Sequence, residues 1–247
     1  MKKLFSSVFL LGFFIMANAQ SVFEKDFTKP AASEVWEPKP KSVIPGIRNG
    51  PPSDAIVLFD GKSLDSWVLA KDGSPNPWKL ENNVMTIKPR SGTIKTKQSF
   101  GDCQLHLEFL IVKNSEGRAG PGNSGIFIQQ RYEVQIYNDE SPLYANGQVG
   151  SIYKQVIPMA NASNRPGEWN AYDIYYTAPR FRSNGSVKQP AYITVVLNGI
   201  LVLNHFEIQG TIEYIGMPRY EIHDKAPIEL QDHSNEVSFR NIWIREL

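Results

Sequence analysis

From residue 55 onward, short apolar runs are separated by clusters of Gly, Pro, Asn and Asp. Runs bounded by turn residues are typical of β-strands, and no segment carries the sustained 3.6-residue apolar stripe of an amphipathic helix. The pattern predicts strands at residues 55–59, 84–87, 104–112, 125–130, 132–137, 172–177, 191–197, 201–206, 228–231 and 237–245. Asn198-Gly199 between two of these runs predicts a two-residue hairpin turn. Many strands without alternating helices indicate a large antiparallel sandwich or jelly roll.

The chain begins with the pattern of a secretory signal peptide. Met1-Lys2-Lys3 precedes an apolar run that ends at Met16, and Ala17-Asn18-Ala19 supplies the small residues of a cleavage site. We therefore expect a signal peptide at residues 1–19 and a periplasmic or secreted mature protein without membrane attachment. Residues 20–54 are rich in proline, which predicts an extended leader. Residues 55–247 are then expected to form one domain.

Composition excludes several classes of function. Lys and Arg number 26 against 25 Asp and Glu, so a net charge of +1 gives no general attraction to nucleic acid or an anionic membrane. The single cysteine, Cys103, excludes an intrachain disulfide and a Cys-based zinc site. The histidines show no metal-binding spacing, and no glycine-rich phosphate loop precedes a helix. No cofactor is predicted from these patterns.

Two predicted strands present polar side chains on one face. Since side chains alternate along a strand, apolar residues at every second position are expected in the core, namely Tyr132, Val134, Ile136, Ile228 and Leu230. The opposite faces carry Arg131, Glu133, Gln135, Tyr137, Glu229, Gln231 and His233. If the two strands share a sheet, this row is a polar groove suited to sugars, whose hydroxyls need donors and acceptors. A solvated sheet face would show the same alternation, so the pattern leaves both interpretations open.

An ordered series of motifs resembles one known family. The motifs are Leu58-Phe59-Asp60-Gly61-Lys62-Ser63-Leu64 with Trp67, Asn123-Ser124-Gly125-Ile126-Phe127 followed by Tyr132-Glu133-Val134-Gln135-Ile136, Pro166-Gly167-Glu168-Trp169-Asn170, Leu197-Asn198-Gly199, Leu230-Gln231-Asp232-His233 and Phe239-Arg240-Asn241-Ile242. Over residues 55–247 they resemble the 3-keto-disaccharide hydrolase domain family. The resemblance implies an all-β, concanavalin-like jelly-roll β-sandwich of two antiparallel sheets with a concave binding face.

The resemblance also implies a reaction. A ketone at C3 of a sugar acidifies the C2 proton, so a base can abstract it, the C1 substituent can leave, and water can add back. Such a site needs a base, an acid and a group that stabilises the enolate. Glu133 and His233 are the candidates for base and acid, in either order. Candidates to stabilise the enolate or hold the sugar are Arg240, Lys154, Gln135, Asn123, Tyr153, Trp169, Gln231 and Glu229.

Three alternatives remain open. A divalent metal held by Asp232 and His233 could replace the cationic side chain as electrophile. The groove could also belong to a carbohydrate-binding module without activity. A conventional glycoside hydrolase is the third, although the E-x-D-x-x-E strand of laminarinase-type enzymes corresponds here to Glu133-x-Gln135-x-x-Asn138, which keeps one carboxylate. In each case the expected partner is a small saccharide, and the sequence indicates no oligomeric state.

Overall fold

The computed structural model describes residues 28–138 and 145–247, so the expected signal peptide lies outside the described residues. Contacts divide the chain into one unit that ends at Ser42 and a second that begins at Val43. In the first unit, Pro30–Ser33 form one 3-10 turn. In the second unit, Ala145–Gly147 form another. Within the described ranges, no helix has the length and apolar character needed to cross a membrane.

The described residues of the second unit form fifteen β-strands. They are β1 (Ile56–Phe59), β2 (Trp67–Leu69), β3 (Lys79–Glu81), β4 (Val84–Thr86), β5 (Ile94–Thr96), β6 (Cys103–Ile111), β7 (Ser124–Ile128), β8 (Tyr132–Ile136), β9 (Asn170–Thr177), β10 (Arg180–Phe181), β11 (Val187–Gln189), β12 (Tyr192–Leu197), β13 (Ile200–Glu207), β14 (Glu229–Leu230) and β15 (Val237–Glu246). The all-β prediction is confirmed, and Asn198 and Gly199 both have positive φ, as a two-residue hairpin turn requires.

The strands form two main antiparallel sheets. The larger has eight strands, in the order β13-β12-β9-β6-β15-β4-β3 with β1 also paired to β15. The smaller has five, in the order β2-β5-β14-β7-β8. A separate hairpin joins β10 and β11. The chain is therefore a sandwich of antiparallel sheets, as the sequence predicts.

The core lies between the inward faces of the two sheets. On β6 the inward residues Leu105, Leu107 and Phe109 are completely buried, and so are Ile126 and Ile128 on β7. Two tyrosines of β9 cross this core and hydrogen-bond to the five-stranded sheet. The Tyr172 hydroxyl donates to the Gln135 carbonyl oxygen at 2.7 Å, and the Tyr176 hydroxyl donates to Gln129 Oε1 at 2.7 Å. The core packing thus fixes the position of β8 from behind.

Candidate active site on the five-stranded sheet

Glu133 and Gln135 lie on the face of β8 that points away from the core. The alternating residues Tyr132, Val134 and Ile136 are completely buried in the core. Although they face outward, Glu133 and Gln135 are only 4% and 3% exposed. A carboxyl and an amide are therefore held away from water on an outer sheet face, where a solvated surface would expose them.

Strand β7 places the polar residues of β8 and β14 on one sheet. Phe127 is paired with Glu133 on one side and with Glu229 on the other. Gly125 is paired with Gln135. The Gly125 carbonyl oxygen accepts a hydrogen bond from the backbone N–H of Gln231 at 3.0 Å. The two rows of polar residues thus flank β7, and Gly125 lies between Gln135 and Gln231.

Gly125 leaves the space that the Glu133 side chain occupies. A Cβ added at Gly125 would lie 2.7 Å from Glu133 Cγ and 2.8 Å from its Cδ. Contacts this short do not occur in folded proteins, so any larger residue at position 125 would push the carboxyl away. The position of the carboxyl therefore depends on a glycine in the neighbouring strand.

Several buried polar atoms around Gly125 have no hydrogen-bond partner within residues 28–138 and 145–247. They are Gln135 Oε1, Ser151 Oγ and Gln231 Oε1. Ser151 lies beside Gln135 at the outer edge of β8, because the Ser151 carbonyl oxygen accepts a hydrogen bond from the backbone N–H of Gln135 at 3.0 Å. Leaving a buried polar atom unpaired costs roughly 1–3 kcal/mol, so such atoms together are typical of a site where a ligand supplies the missing partners. We call Glu133, Gln135, Ser151 and Gln231 around Gly125 the Glu133 face.

Burial controls the charge of Glu133. The desolvation of its carboxyl raises its pKa from 4.5 to about 8. No charge or hydrogen bond from the described part of the chain offsets this effect. A carboxyl with this pKa is neutral in weakly acidic solution and becomes a comparatively strong base near pH 8, which is a property of catalytic acids and bases.

Glu229 shares the sheet face but not the position of Glu133. Its Oε1 accepts a hydrogen bond from Gln130 Nε2 at 2.5 Å, whereas Glu133 leans over Gly125. Gly125 and Gln130 lie on opposite sides of Phe127 along the chain, so the two carboxyls diverge. Two strand spacings, roughly 9–10 Å, separate their backbones. A retaining glycosidase needs its carboxyls ~5–5.5 Å apart, a geometry that this pair does not provide.

His233 lies in the exposed loop that follows β14. Its carbonyl oxygen accepts a hydrogen bond from Asn235 Nδ2 at 2.6 Å. The neighbouring Asp232 uses both carboxylate oxygens for backbone amides, those of Gly92 and Ser234, at 2.9 and 2.8 Å. The described residues contain no group of three or more His, Cys, Asp or Glu side chains that could hold a metal ion. The local role of Asp232 is to stabilise the loop that carries His233.

Tyr153 and Lys154 follow the segment that bonds to the outer edge of β8, and Asn123 lies just before β7. The Tyr153 amide donates to the Glu133 carbonyl oxygen at 3.1 Å, which places Tyr153 directly opposite Glu133. Lys154 turns away, because its Nζ donates to the Tyr214 carbonyl oxygen and lies 5.3 Å from the centre of the Tyr214 ring. Asn123 immediately precedes β7 and is half-buried.

Arg240 and Trp169 lie on the other side of the molecule. Arg240 belongs to β15 of the eight-stranded sheet, where Phe239 points into the core and Arg240 points outward. The Arg240 guanidinium lies 4.0 Å from the centre of the Trp169 ring, and its Nε donates to Glu108 Oε2 at 2.6 Å. The whole core separates this pair from Glu133, so the structure does not bring the expected cation and tryptophan together with the expected base.

A cavity of about 840 Å³ opens elsewhere, beside the β10–β11 hairpin and the C-terminal residues. Two of its cations are paired with carboxylates, Arg180 with Asp102 at 2.6 Å and Lys225 with Glu246 at 3.1 Å. No member of the Glu133 face lines it. The cavity is therefore separate from the polar site on β8.

Comparison with known proteins agrees with this picture. A model of the 3-keto-alpha-glucoside-1,2-lyase-like domain matches residues 54–245. The 3-keto-disaccharide hydrolase of Bacteroides thetaiotaomicron is 24% identical in an alignment of 235 positions that covers 78% of each chain. A protein of Parabacteroides distasonis that is provisionally named a glycosyl hydrolase has a crystal structure with 48% identity and a TM-score of 0.82, covering 89% of this chain and 97% of its own.

A second crystal structure from Parabacteroides distasonis, with the same provisional name, has 21% identity and a TM-score of 0.61. It covers 78% of this chain and 94% of its own, and it shows the fold alone. The family model, in contrast, spans nearly all of the sandwich, including every residue of the Glu133 face. The chain therefore belongs to the 3-keto-alpha-glucoside-1,2-lyase-like domain family.

Proposed function

We propose that this protein cleaves 3-keto-glycosides and that Glu133 is the general base that removes the C2 proton. The observation that carries the proposal is a buried carboxyl without a described partner, whose pKa burial raises to about 8, in a cluster of unpaired polar atoms. The family match and the name of the Bacteroides thetaiotaomicron relative support a keto sugar as the substrate class.

The proposed reaction has two stages. Ionised Glu133 takes the C2 proton, an enolate forms across C2 and C3, and the C1–O bond breaks as the leaving alcohol receives a proton from an acid. In the second stage, the conjugate base of that acid takes a proton from water as the water oxygen adds at C1, and protonated Glu133 returns its proton to C2. Each proton is thus recovered and the net change is hydrolysis. A carboxylate with a raised pKa suits the first step because a stronger base is better matched to a carbon acid.

The polar side chains of the Glu133 face supply the remaining contacts. The amides of Gln135 and Gln231 each carry one acceptor and two donor hydrogens, and the Ser151 hydroxyl can donate or accept. Their donors are suited to the enolate oxygen and their acceptors to sugar hydroxyls. Such donors, held in place before the reaction, stabilise developing charge more effectively than water does. His233, in the adjacent loop, stays our candidate for the acid that protonates the leaving group.

Replacing the carboxyl by an amide tests the role of Glu133. We expect Glu133→Gln to lower kcat on a phenyl 3-keto-glucoside at least roughly 100-fold, the lower end of the range for general acid–base catalysis. Thermal stability should not fall, because the amide has similar volume and no charge to desolvate. Glu81→Gln, an exposed substitution on the edge strand β3 of the other sheet, is the matched control. Turnover by Glu133→Gln within a few fold of the wild type would refute the assignment.

The pH dependence distinguishes a base from an acid at this position. If Glu133 acts as the base, kcat/KM should rise with pH and level off above its pKa of about 8, because only the ionised form abstracts a proton. A fall over the same interval would assign the acid role to Glu133 instead. Cleavage of the unoxidised phenyl glucoside would indicate a conventional glycoside hydrolase. Binding of the keto sugar without turnover would indicate a carbohydrate-binding module.

A further inference from the structure

An exposed apolar loop continues the five-stranded sheet beyond β8. Along the outer edge of β8 and at Arg131 just before it, the carbonyl oxygens of Gln135, Glu133 and Arg131 accept backbone hydrogen bonds in turn, each 3.1 Å long. The donors are the amides of Gly150, Tyr153 and Ile212. The last of these places residues 210–219, which we call the Tyr214 loop, next to Arg131. Two residues of strand, roughly 7 Å, separate Arg131 from Glu133.

The base of the Tyr214 loop is fixed to its surroundings. The Thr211 amide donates to the Arg219 carbonyl oxygen at 3.0 Å and closes the loop. Gly210 has a φ of +138°, and a Cβ there would lie 2.7 Å from Arg219 Cα, so only glycine allows the two ends this close approach. Gln155 joins the loop to the segment beside Glu133, since its Nε2 donates to the Gly210 carbonyl oxygen at 2.9 Å and its Oε1 accepts from the Gln209 amide at 2.8 Å.

The tip of the loop presents large apolar side chains to solvent. Tyr214, Ile215 and Met217 are 76%, 83% and 80% exposed. Lys154 Nζ donates to the Tyr214 carbonyl oxygen and lies near the Tyr214 ring. Since Lys154 follows Tyr153, whose backbone N–H donates to the Glu133 carbonyl oxygen, these contacts connect the tip to Glu133. A fixed loop that leaves an aromatic ring and two aliphatic side chains exposed together is typical of a binding surface.

We propose that Tyr214 is the platform for the leaving group of the substrate, stacking on an aromatic or sugar-ring aglycone while Glu133 acts on the keto sugar. The inference rests on the proposed function of the Glu133 face. The backbone bonds along this edge favour this occupant, since the loop bonds to Arg131, which lies two residues, roughly 7 Å, from the base along the extended chain. Aromatic side chains stack on ring faces, and this geometry stabilises a complex beyond the burial of area alone.

Two 3-keto-glucosides that differ only in the leaving group test the inference. The leaving group of phenyl 3-keto-glucoside is an aromatic ring on which Tyr214 could stack, whereas the leaving group of methyl 3-keto-glucoside has no ring. We expect Tyr214→Ala to lower kcat/KM roughly three- to tenfold on the phenyl substrate and to leave the methyl substrate unchanged, while Tyr214→Phe retains wild-type values. Met217→Ala should also lower kcat/KM on the phenyl substrate. Tyr175→Ala, an exposed tyrosine on the eight-stranded sheet, is the control.

The outcomes separate the two proposals. Equal losses on both substrates, or no loss on either, would overturn the role of Tyr214 while leaving the function of Glu133 intact. A wild-type protein that turns over neither substrate would refute the proposed function, and the role of Tyr214 would fall with it. Thermal melting of each variant shows whether folding is preserved, and the high exposure of Tyr214 predicts no change in Tm.

Discussion

At the scale of single residues, the position of the candidate base depends on the absence of a neighbouring side chain. Glu133 occupies the volume where a Cβ on Gly125 would lie. A carboxyl that is displaced by even one ångström can lose up to about 100-fold in rate, because proton abstraction requires near-attack geometry. The glycine is thus as much a part of the site as the acid.

This dependence predicts the effect of one methyl group. We expect Gly125→Ala to lower kcat/KM on a 3-keto-glucoside at least roughly tenfold, because the added Cβ displaces the Glu133 carboxyl. Steady-state kinetics with thermal melting checks this. Gly120→Ala is the control, since a Cβ there meets only Asn235 Oδ1 at 3.6 Å. Wild-type activity in Gly125→Ala would show that the carboxyl has no fixed working position.

Sequence alternation predicts part of this residue-scale arrangement. It places Glu133, Gln135 and Gln231 on outward faces. This assignment requires only that successive side chains of a strand point to opposite faces, and it does not depend on the rest of the fold. It does not reveal Ser151, which comes from an irregular segment docked on the edge of β8. Nor does it reveal that Gly125 provides space, since a glycine in a strand has several possible causes.

At the scale of strands, the sequence pattern predicts every described strand of four or more residues and two of the shorter ones, β4 and β14. Strand β6 buries every second residue along its nine positions, whereas a register shift between Arg240 and Trp243 interrupts the alternation in β15. Strands β2, β3, β5, β10 and β11 have only two or three residues, too few to show a period. The sequence does not assign a strand to a sheet, so it could not separate Arg240 and Trp169 from Glu133.

The outer face of the eight-stranded sheet carries a partly buried charge cluster, which has a structural role. Glu108 Oε2 accepts from Arg240 Nε at 2.6 Å and Glu108 Oε1 accepts from Asn241 Nδ2 at 3.0 Å. His106 lies beside it and bonds to Asp173 at 2.7 Å. Burial disfavours the charged imidazole, but its hydrogen bonds to Asp173 and Glu108 outweigh this effect and raise the pKa of His106. The cluster joins β6, β9 and β15 across the sheet.

The cluster predicts how stability responds to acid. The pKa of Glu108 is lowered from 4.5 to about 2, and the hydrogen bond with His106 is the largest cause. Burial acts in the opposite direction but is the smaller effect. The ionised form is therefore favoured in the folded state, and its stabilisation is present above pH 4.5 and is lost as pH falls towards 2. The difference between these pKa values sets an upper limit of roughly 3 kcal/mol, which solvent screening reduces because the Arg240 side chain is 42% exposed.

We therefore expect Glu108→Gln to lower the free energy of unfolding by a few kcal/mol at pH 7, with the gap to the wild type narrowing as pH falls to 2–3. Urea unfolding at several pH values measures this gap, with Glu81→Gln as the matched control. Because the core separates Glu108 from Glu133, kcat/KM at pH 8 should not change. A gap independent of pH would contradict the ion-pair assignment, and a loss of activity would return Arg240 to the reaction.

At the scale of the whole molecule, two hydroxyls join the sheets through the core. Tyr172 and Tyr176 project from β9, are almost completely buried, and donate to the Gln135 carbonyl oxygen and to Gln129 Oε1 at 2.7 Å. The two acceptors are not equivalent. The Gln135 carbonyl oxygen also accepts the Gly150 amide at 3.1 Å, whereas the Tyr176 hydroxyl is the single donor to Gln129 Oε1 in the described part of the chain.

This difference predicts the order of two conservative substitutions. Tyr176→Phe leaves a buried amide oxygen without a partner and should cost roughly 1–3 kcal/mol, whereas Tyr172→Phe leaves its acceptor with one bond and should cost ~0.5–1.5 kcal/mol. Activity should follow the reverse order, because the Tyr172 hydroxyl holds the backbone of Gln135, which belongs to the Glu133 face. Urea unfolding and kcat/KM measured on the same two proteins decide the matter. If Tyr172→Phe were the more destabilising substitution, the Gly150 bond would not compensate, and if both left kcat/KM unchanged, the core would not position the Glu133 face.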